Sequence, residues 1–357
     1  MLKAVESNVV ARAITLGYAN ARVKAMKQAL LTQKETDAMA LSTNVGEIYS
    51  LLERTQYRDD LVSSALKGKT PADQIELACV KNFSRTLKKI IKFTPKKLGS
   101  KIIQMFEKYE VNNIRTILLG KHVGEGKESI SHLLIDTGIL PKNIIARALD
   151  AKNVKDAVLA LSGTVYGTVL EKGMRRYEKD REISLLLSAL DDYYYKKLPL
   201  IAKNPYGDER ILLRMLKAQV DAKNISNVLR AKKEGHKEEK IAQTLTSGGN
   251  IPKDRLIQAA GAKNVEDAMR VFEKNFKMAK AIEAYKKNGS LIPAEIEVGK
   301  SVAQKGLALL RTSVLSIGAI AGFLLLKEEE VSNIRKIVRA KEYNLPVEKI
   351  REMIVEY

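Results

Sequence analysis

The 357-residue chain carries 62 Lys and Arg against 42 Asp and Glu, a net charge of +20, with 45% apolar residues, 8 Pro, no Trp and one Cys. That length exceeds a single small core and fits two or three compact units; the composition is helical. One cysteine excludes an intramolecular disulfide and a thiolate metal cluster. So large a positive charge calls for an anionic partner or surface (nucleic acid, lipid headgroups or an acidic protein), or else makes a solubility face.

Residues 1–7 lack the apolar core of a signal peptide. Next come Leu31, Thr32, Gln33 and Lys34, then Asn44, Val45, Gly46 and Glu47, in which an asparagine cap with an acid three residues on predicts a helix start. Gly68, Lys69 and Thr70 match the end of a P-loop, but Ser63 stands where its first glycine belongs; an ordinary turn before Pro71 is the reading. Cys79 lies in an apolar run and is expected to be a small core residue. Between Arg85 and Lys101, a helix would gather Arg85, Lys88, Lys89 and Lys92 on one face, with Lys96, Lys97 and Lys101 following.

The dominant feature is a pattern, Asn-Ile-x-x-(Ile/Val)-(Leu/Val)-x-(Gly/Ala)-Lys, found three times. It starts at Asn113, Asn224 and Asn333, spaced by 111 and 109 residues. Laid over one another without gaps, 113–157 and 224–268 share about 18 of 45 positions, where chance gives about 3. Each copy predicts a helix A with an apolar stripe such as Ile114, Ile117 and Leu118. Gly124, Gly235 or Asn344 then closes it in the left-handed conformation. A short helix B begins at Glu128, Glu239 or Glu348 and is expected to stop at Gly138 or Gly249. Helix C opens at Pro141 or Pro252, and helix D at an Asn153 or Asn264 cap with Asp156 or Asp267.

The third copy shows only A and B, whereas residues 31–57 read as a C–D half: Asn44 precedes Asn153 by 109 residues, and Tyr57 matches Tyr166. The two halves are expected to complete one another in a pseudo-threefold arrangement. The division is then 1–60 with 331–357, 61–174 with its helical hairpin, 175–285 with its hairpin, and 286–330 as a third hairpin. Each hairpin breaks roughly 15 residues before the repeat Asn, at Thr94 and Pro95, at residues 204–207, and at Ser316 to Gly318. The apolar stretch 312–326 is short of a bilayer span and predicts a buried helix or hairpin.

No constellation for chemistry emerges. His122, His132 and His236 are the only histidines and have no metal-ligand spacing, so they read as surface residues near turns. Asp191 and Asp192, and Glu328, Glu329 and Glu330, read as solvated helix faces or helix starts. Tyr193, Tyr194 and Tyr195 follow an apolar run and read as packing. No catalytic, cofactor-binding or metal residue is assigned, and no nucleic-acid-reading module is present.

Residues 315–354, from Leu315 through Lys327, Glu330, Asn333 and Lys341 to Ile354, resemble the signature end of the C subunit of archaeal A-type and bacterial V-type rotary ATP synthases. The eukaryotic counterpart is the vacuolar ATPase d subunit. Residues 18–26, with Tyr18 and Arg22, and 44–57 resemble that family's opening. The resemblance implies an all-α, funnel-shaped protein of three similar helical domains. It also implies a non-catalytic role without cofactor or small-molecule substrate, as a peripheral membrane protein on the cytoplasmic face of the cell membrane. There it would join central-stalk subunits D and F, whose tip enters the central cavity, to the membrane rotor ring of proteolipid subunits. The alternative from another class is a basic helical-repeat scaffold binding nucleic acid or acidic proteins through its lysine face.

Overall fold

The computed structural model describes residues 2–65, 70–201, 207–313 and 315–356. Among them are nineteen α-helices and no strand. The chain opens with α1 (Leu2–Lys27), α2 (Gln33–Leu41), α3 (Val45–Leu52) and α4 (Arg58–Val62). A long pair, α5 (Pro71–Phe93) and α6 (Lys96–His122), leads to α7 (Lys127–Ser131), α8 (Lys142–Asp150), α9 (Val154–Ala160) and α10 (Val165–Asp180). A second pair, α11 (Ser184–Ile201) and α12 (Gly207–Lys233), leads to α13 (Glu238–Gln243), α14 (Lys253–Ala260), α15 (Val265–Val271) and α16 (Ala279–Asn288). The third pair, α17 (Ile292–Thr312) and α18 (Ile317–Glu342), is followed by α19 (Val347–Met353).

Each repeat asparagine therefore sits in the middle of a 26- or 27-residue helix and does not open one. Helix A is the C-terminal portion of α6, α12 or α18. Two of the three anticipated breaks are the starts of these helices: α5 closes at Thr94 before Pro95, and Ser316 caps α18 through its hydroxyl. The third is at residues 204–207, of which 204–206 lie outside the described residues, and Gly207 opens α12. Gly68 and Lys69 also lie outside them. Thr70 next door makes a capping box with Asp73 at the start of α5.

Local signals explain the small helices. Asn44, Asn153 and Asn264 cap α3, α9 and α15 in extended conformation, each accepting from the backbone N–H of the acid three residues on. Gly124, Gly235 and Asn344 all have positive φ, at 81°, 74° and 55°. Helix B is shorter than expected: α7 ends at Ser131 and α13 at Gln243, well before Gly138 and Gly249.

The cause lies in the repeat asparagines. The Asn113 amide donates to Ile135 O at 2.7 Å and accepts from Ile135 N–H at 2.9 Å, so residue 135 has no backbone groups left for a helix. Asn224 grips Thr246 at 2.8 and 2.9 Å, and Asn333 grips Val355 at 2.8 and 3.0 Å, in each case 22 residues further on. Truncating such an amide strands a buried N–H and C=O together, at about 1–3 kcal/mol for each group left unpaired. Asn224→Ala, with no exposed surface at the site, is expected to lower the guanidinium chloride midpoint more than any exposed asparagine substitution such as Asn288→Ala. Equal midpoints would refute the clamp.

A second clamp lies three residues earlier. Glu110 accepts from Leu140 N–H at 3.4 Å and from the Thr137 hydroxyl. Asp221 accepts from Ile251 N–H at 3.0 Å and Asn250 N–H at 2.8 Å. Gly249 is needed here because a Cβ would collide with the Asp221 carboxylate. In the third copy the donor is Leu31 N–H, 2.5 Å from Glu330, drawn from the other end of the chain. One apolar cluster accordingly joins Met39, Ile48, Leu52 and Tyr57 to Ile75 and Cys79 of α5 and to Ile334, Ile337 and Ile350. Cys79 is fully buried there, and burial pushes its thiol up to about 12.

The stretch 317–327 is buried along its whole length as the first turns of α18. No helix among the described residues is long and apolar enough to cross a membrane.

A central cavity as the candidate partner-binding site

The three long helices expose equivalent faces to one space. A cavity of about 1020 Å³ is lined by Lys108, Gln219 and Glu328, each five positions before its repeat Asn. Asn112, Lys223 and Ser332, each one position before, line it too, as do Arg230 and Arg339, each six after. These spacings fall on one helical face. The cavity follows α18 from Leu325 to Tyr343, about 27 Å along the axis. Tyr343, 75% exposed, and Leu345 bring apolar surface to it.

Its walls are ionic and cross-linked. Lys108 pairs with Glu328 at 2.7 Å, and the Tyr109 hydroxyl bonds the same carboxylate. Burial first, and then that carboxylate, push the Tyr109 phenol well above its ordinary range. Asp191 receives Arg115 at 3.0 Å and Lys223 at 2.7 Å, tying α6, α11 and α12 together. Arg339 spans from α18 to α5, meeting Glu76 at 2.7 Å and Asp73 at 3.0 Å, while also holding Glu342 at 2.6 Å. Burial raises the Glu329 carboxyl although Lys336 stands 3.5 Å away. Six cations and three carboxylates line the space, and each of the six cations pairs with a carboxylate, so the wall is a set of ion pairs.

Several expectations need correcting at this point. Glu328, Glu329 and Glu330 are not a solvated run: they lie in the middle of α18, and Glu330 is 3% exposed. Glu330 pairs with the fully buried Lys327 at 2.6 Å and accepts from the Tyr57 hydroxyl at 2.7 Å. Asp191 likewise serves two cations, Arg115 and the cavity-lining Lys223. The tyrosines do pack: Tyr194 is 2% exposed with its hydroxyl on Met105 O at 2.7 Å, and Tyr193 reaches Glu107 at 2.9 Å. The histidines stand apart, with His122 bonded to the Tyr177 hydroxyl at 2.9 Å and His132 to Glu128 O at 3.0 Å.

Sequence reasoning missed the acids at Glu110, Asp221 and Glu330. Their signal was present as a carboxylate at one offset from each repeat Asn.

Equivalent faces of three repeated helices around one charged space define an all-helical repeat scaffold. Residues 19–353 match the model of the ATP synthase (C/AC39) subunit family, and the chain belongs to that family. It is 29% identical to the C subunit of the A-type ATP synthase of Methanobrevibacter smithii over 94% of this chain and 87% of the relative. Identity is 26% to the same-named protein from Methanocaldococcus jannaschii, over 95% and 86%. For the one from Methanococcoides burtonii it is 28%, over 95% and 93%. The chain is thus an A/V-type ATP synthase subunit, a structural part of a membrane-associated complex.

Proposed function

We propose that this protein is a non-catalytic part of the central stalk, a peripheral protein on the cytoplasmic face of the membrane. It takes the tip of the shaft formed by subunits D and F into the central cavity and passes rotation to the proteolipid ring. The observation that carries this reading is that the same positions of α6, α12 and α18 line one cavity. A shaft tip needs a socket reached from all sides, and a stiff one. The ion pairs between neighbouring helices, together with the Asn and acid clamps, supply stiffness.

The three lobes of this reading are the sets that surround the three clamps. The third is completed by residues from the start of the chain, as the contact from Leu31 to Glu330 supports.

The test uses the whole chain with Arg230→Gln and Arg335→Gln, which keep a polar side chain at cavity positions 62% and 48% exposed and remove ion pairs that at such exposure cost the fold little. Shaft subunits recovered with the chain from solubilised membranes are expected to fall at least tenfold, with unchanged circular dichroism. Undiminished recovery would overturn the socket reading.

A further inference from the structure

The positive charge of this molecule is concentrated at one end. Residues 77–106, spanning most of α5 and the start of α6, contain eight Lys and Arg and no Asp or Glu. Residues 7–34, most of α1 and the start of α2, contain five and none. Residues 298–327, from α17 into α18, contain four and none. Acids reappear at one level on these elements: Glu107 and Glu110 on α6, Glu328 to Glu330 on α18, Glu76 on α5 and Glu297 on α17.

The structure brings the three acid-free segments together. The Tyr18 ring meets Phe93 edge-on with centroids 6.4 Å apart, and Arg22 lies 5.1 Å from the Phe93 ring. Asn20 donates to Ser316 O at 3.0 Å, in the turn that joins α17 to α18. The α5–α6 turn, the α17–α18 turn and the middle of α1 therefore form one surface. It lies about 15 Å along α6 from the first acid, Glu107. On it, Lys89, Lys92, Lys96 and Lys97 are exposed and make no ion pair among the described residues. Beside them, Ile14 is 71% exposed, Tyr18 56% and Leu315 43%.

We propose that this surface docks on anionic phospholipid headgroups of the membrane. Two features favour lipid over an acidic protein. Apart from Arg311 in the last turn of α17, the free cations named here are lysines near helix ends, flexible point charges without the planar fork that reads one carboxylate in one geometry. The apolar and aromatic side chains among them suit the headgroup boundary, where such residues add to the attraction of a basic cluster. Docking here fixes the tilt of the chain on the membrane plane, with the acids and the cavity turned away from it. The inference rests on the preceding reading only in placing the chain at a membrane, because lipid vesicles contain neither shaft nor ring.

Co-flotation of the purified full chain with liposomes tests it. Binding is expected to vesicles of phosphatidylcholine with roughly 30% phosphatidylglycerol, to weaken with salt, and to be absent with phosphatidylcholine alone. Replacing Lys89, Lys92, Lys96 and Lys97 together by Gln is expected to weaken binding at least 100-fold. A control replacing Lys152, Lys237, Lys253 and Lys263 by Gln removes the same charge from exposed positions elsewhere and is expected to change binding by less than about threefold. Equal losses in the two variants would overturn the assignment, as would equal binding to neutral vesicles. So would capture by polyglutamate without capture by anionic vesicles, which would assign the face to an acidic protein. Loss of shaft binding in the cavity variant leaves these outcomes untouched.

Discussion

Glu330→Ala is expected to destabilise the protein by about 3–5 kcal/mol, the usual result of stripping one partner from a buried ion pair. Lys327 is fully buried, 4.3 Å from the centre of the Tyr57 ring and 2.9 Å from its hydroxyl, and it would keep no anionic partner in that pocket. Burial already pulls its ammonium below the ordinary range, with Glu330 the main opposing influence. The same carboxylate holds Leu31 N–H, so the substitution also loosens the segment from Leu31 where it meets α18. Guanidinium chloride unfolding measures the first effect, and limited proteolysis, cutting earliest between α1 and α5, the second. The double variant Lys327→Met with Glu330→Leu removes both charges and is expected to recover most of the loss. A double variant as unstable as Glu330→Ala would show that ion pairing is not the cause.

Gly322→Val is the second large effect. A Cβ at position 322 would lie 2.9 Å from Leu310 N and closer still to Gly306 O, so the obstacle is backbone and no rotamer change relieves it. Gly306 faces the same contact, where a Cβ would lie 3.1 Å from the Leu325 Cβ. These two glycines let α17 and α18 touch along their axes, and α18 is the helix around which the N-terminal and C-terminal elements gather. Overpacking costs typically about 1–3 kcal/mol when side chains can shift; with backbone on both sides, about 3 kcal/mol or more is expected. Thermal unfolding followed by circular dichroism gives the measurement. Gly99→Ala is the control, since its Cβ would meet nothing nearer than 3.8 Å and alanine favours the helix. A midpoint for Gly322→Val equal to that of Gly99→Ala would refute the close approach.

What was legible in the sequence was local. The caps at Asn44, Asn153 and Asn264 and the left-handed closures at Gly124, Gly235 and Asn344 depend on a few neighbouring residues, so spacing alone located them. The extent of helix B was not legible, because Asn113 and Asn224 act on backbone 22 residues away and forbid continuation there. Charge was misread for a similar reason. Residues 328–330 look like a solvated run until Tyr57 and Lys327, one of them 273 residues away from Glu330, are brought against it. The cavity was least visible, since its lining positions are ordinary polar residues that acquire meaning only when three helices share one space.

The contact between Leu31 and Glu330 also sets a timetable. At a synthesis rate of about 5–20 residues per second, the ribosome needs about 15–60 s to deliver Glu330 after Leu31 has been made. For that interval α2, α3 and α4 have α5 but lack α18 and α19, which complete the burial of Met39, Ile48 and Leu52. The helices around α6 and α12 can pack first, while residues 31–62 wait with part of their apolar surface uncovered. In a cell, that waiting segment is where a chaperone would be needed.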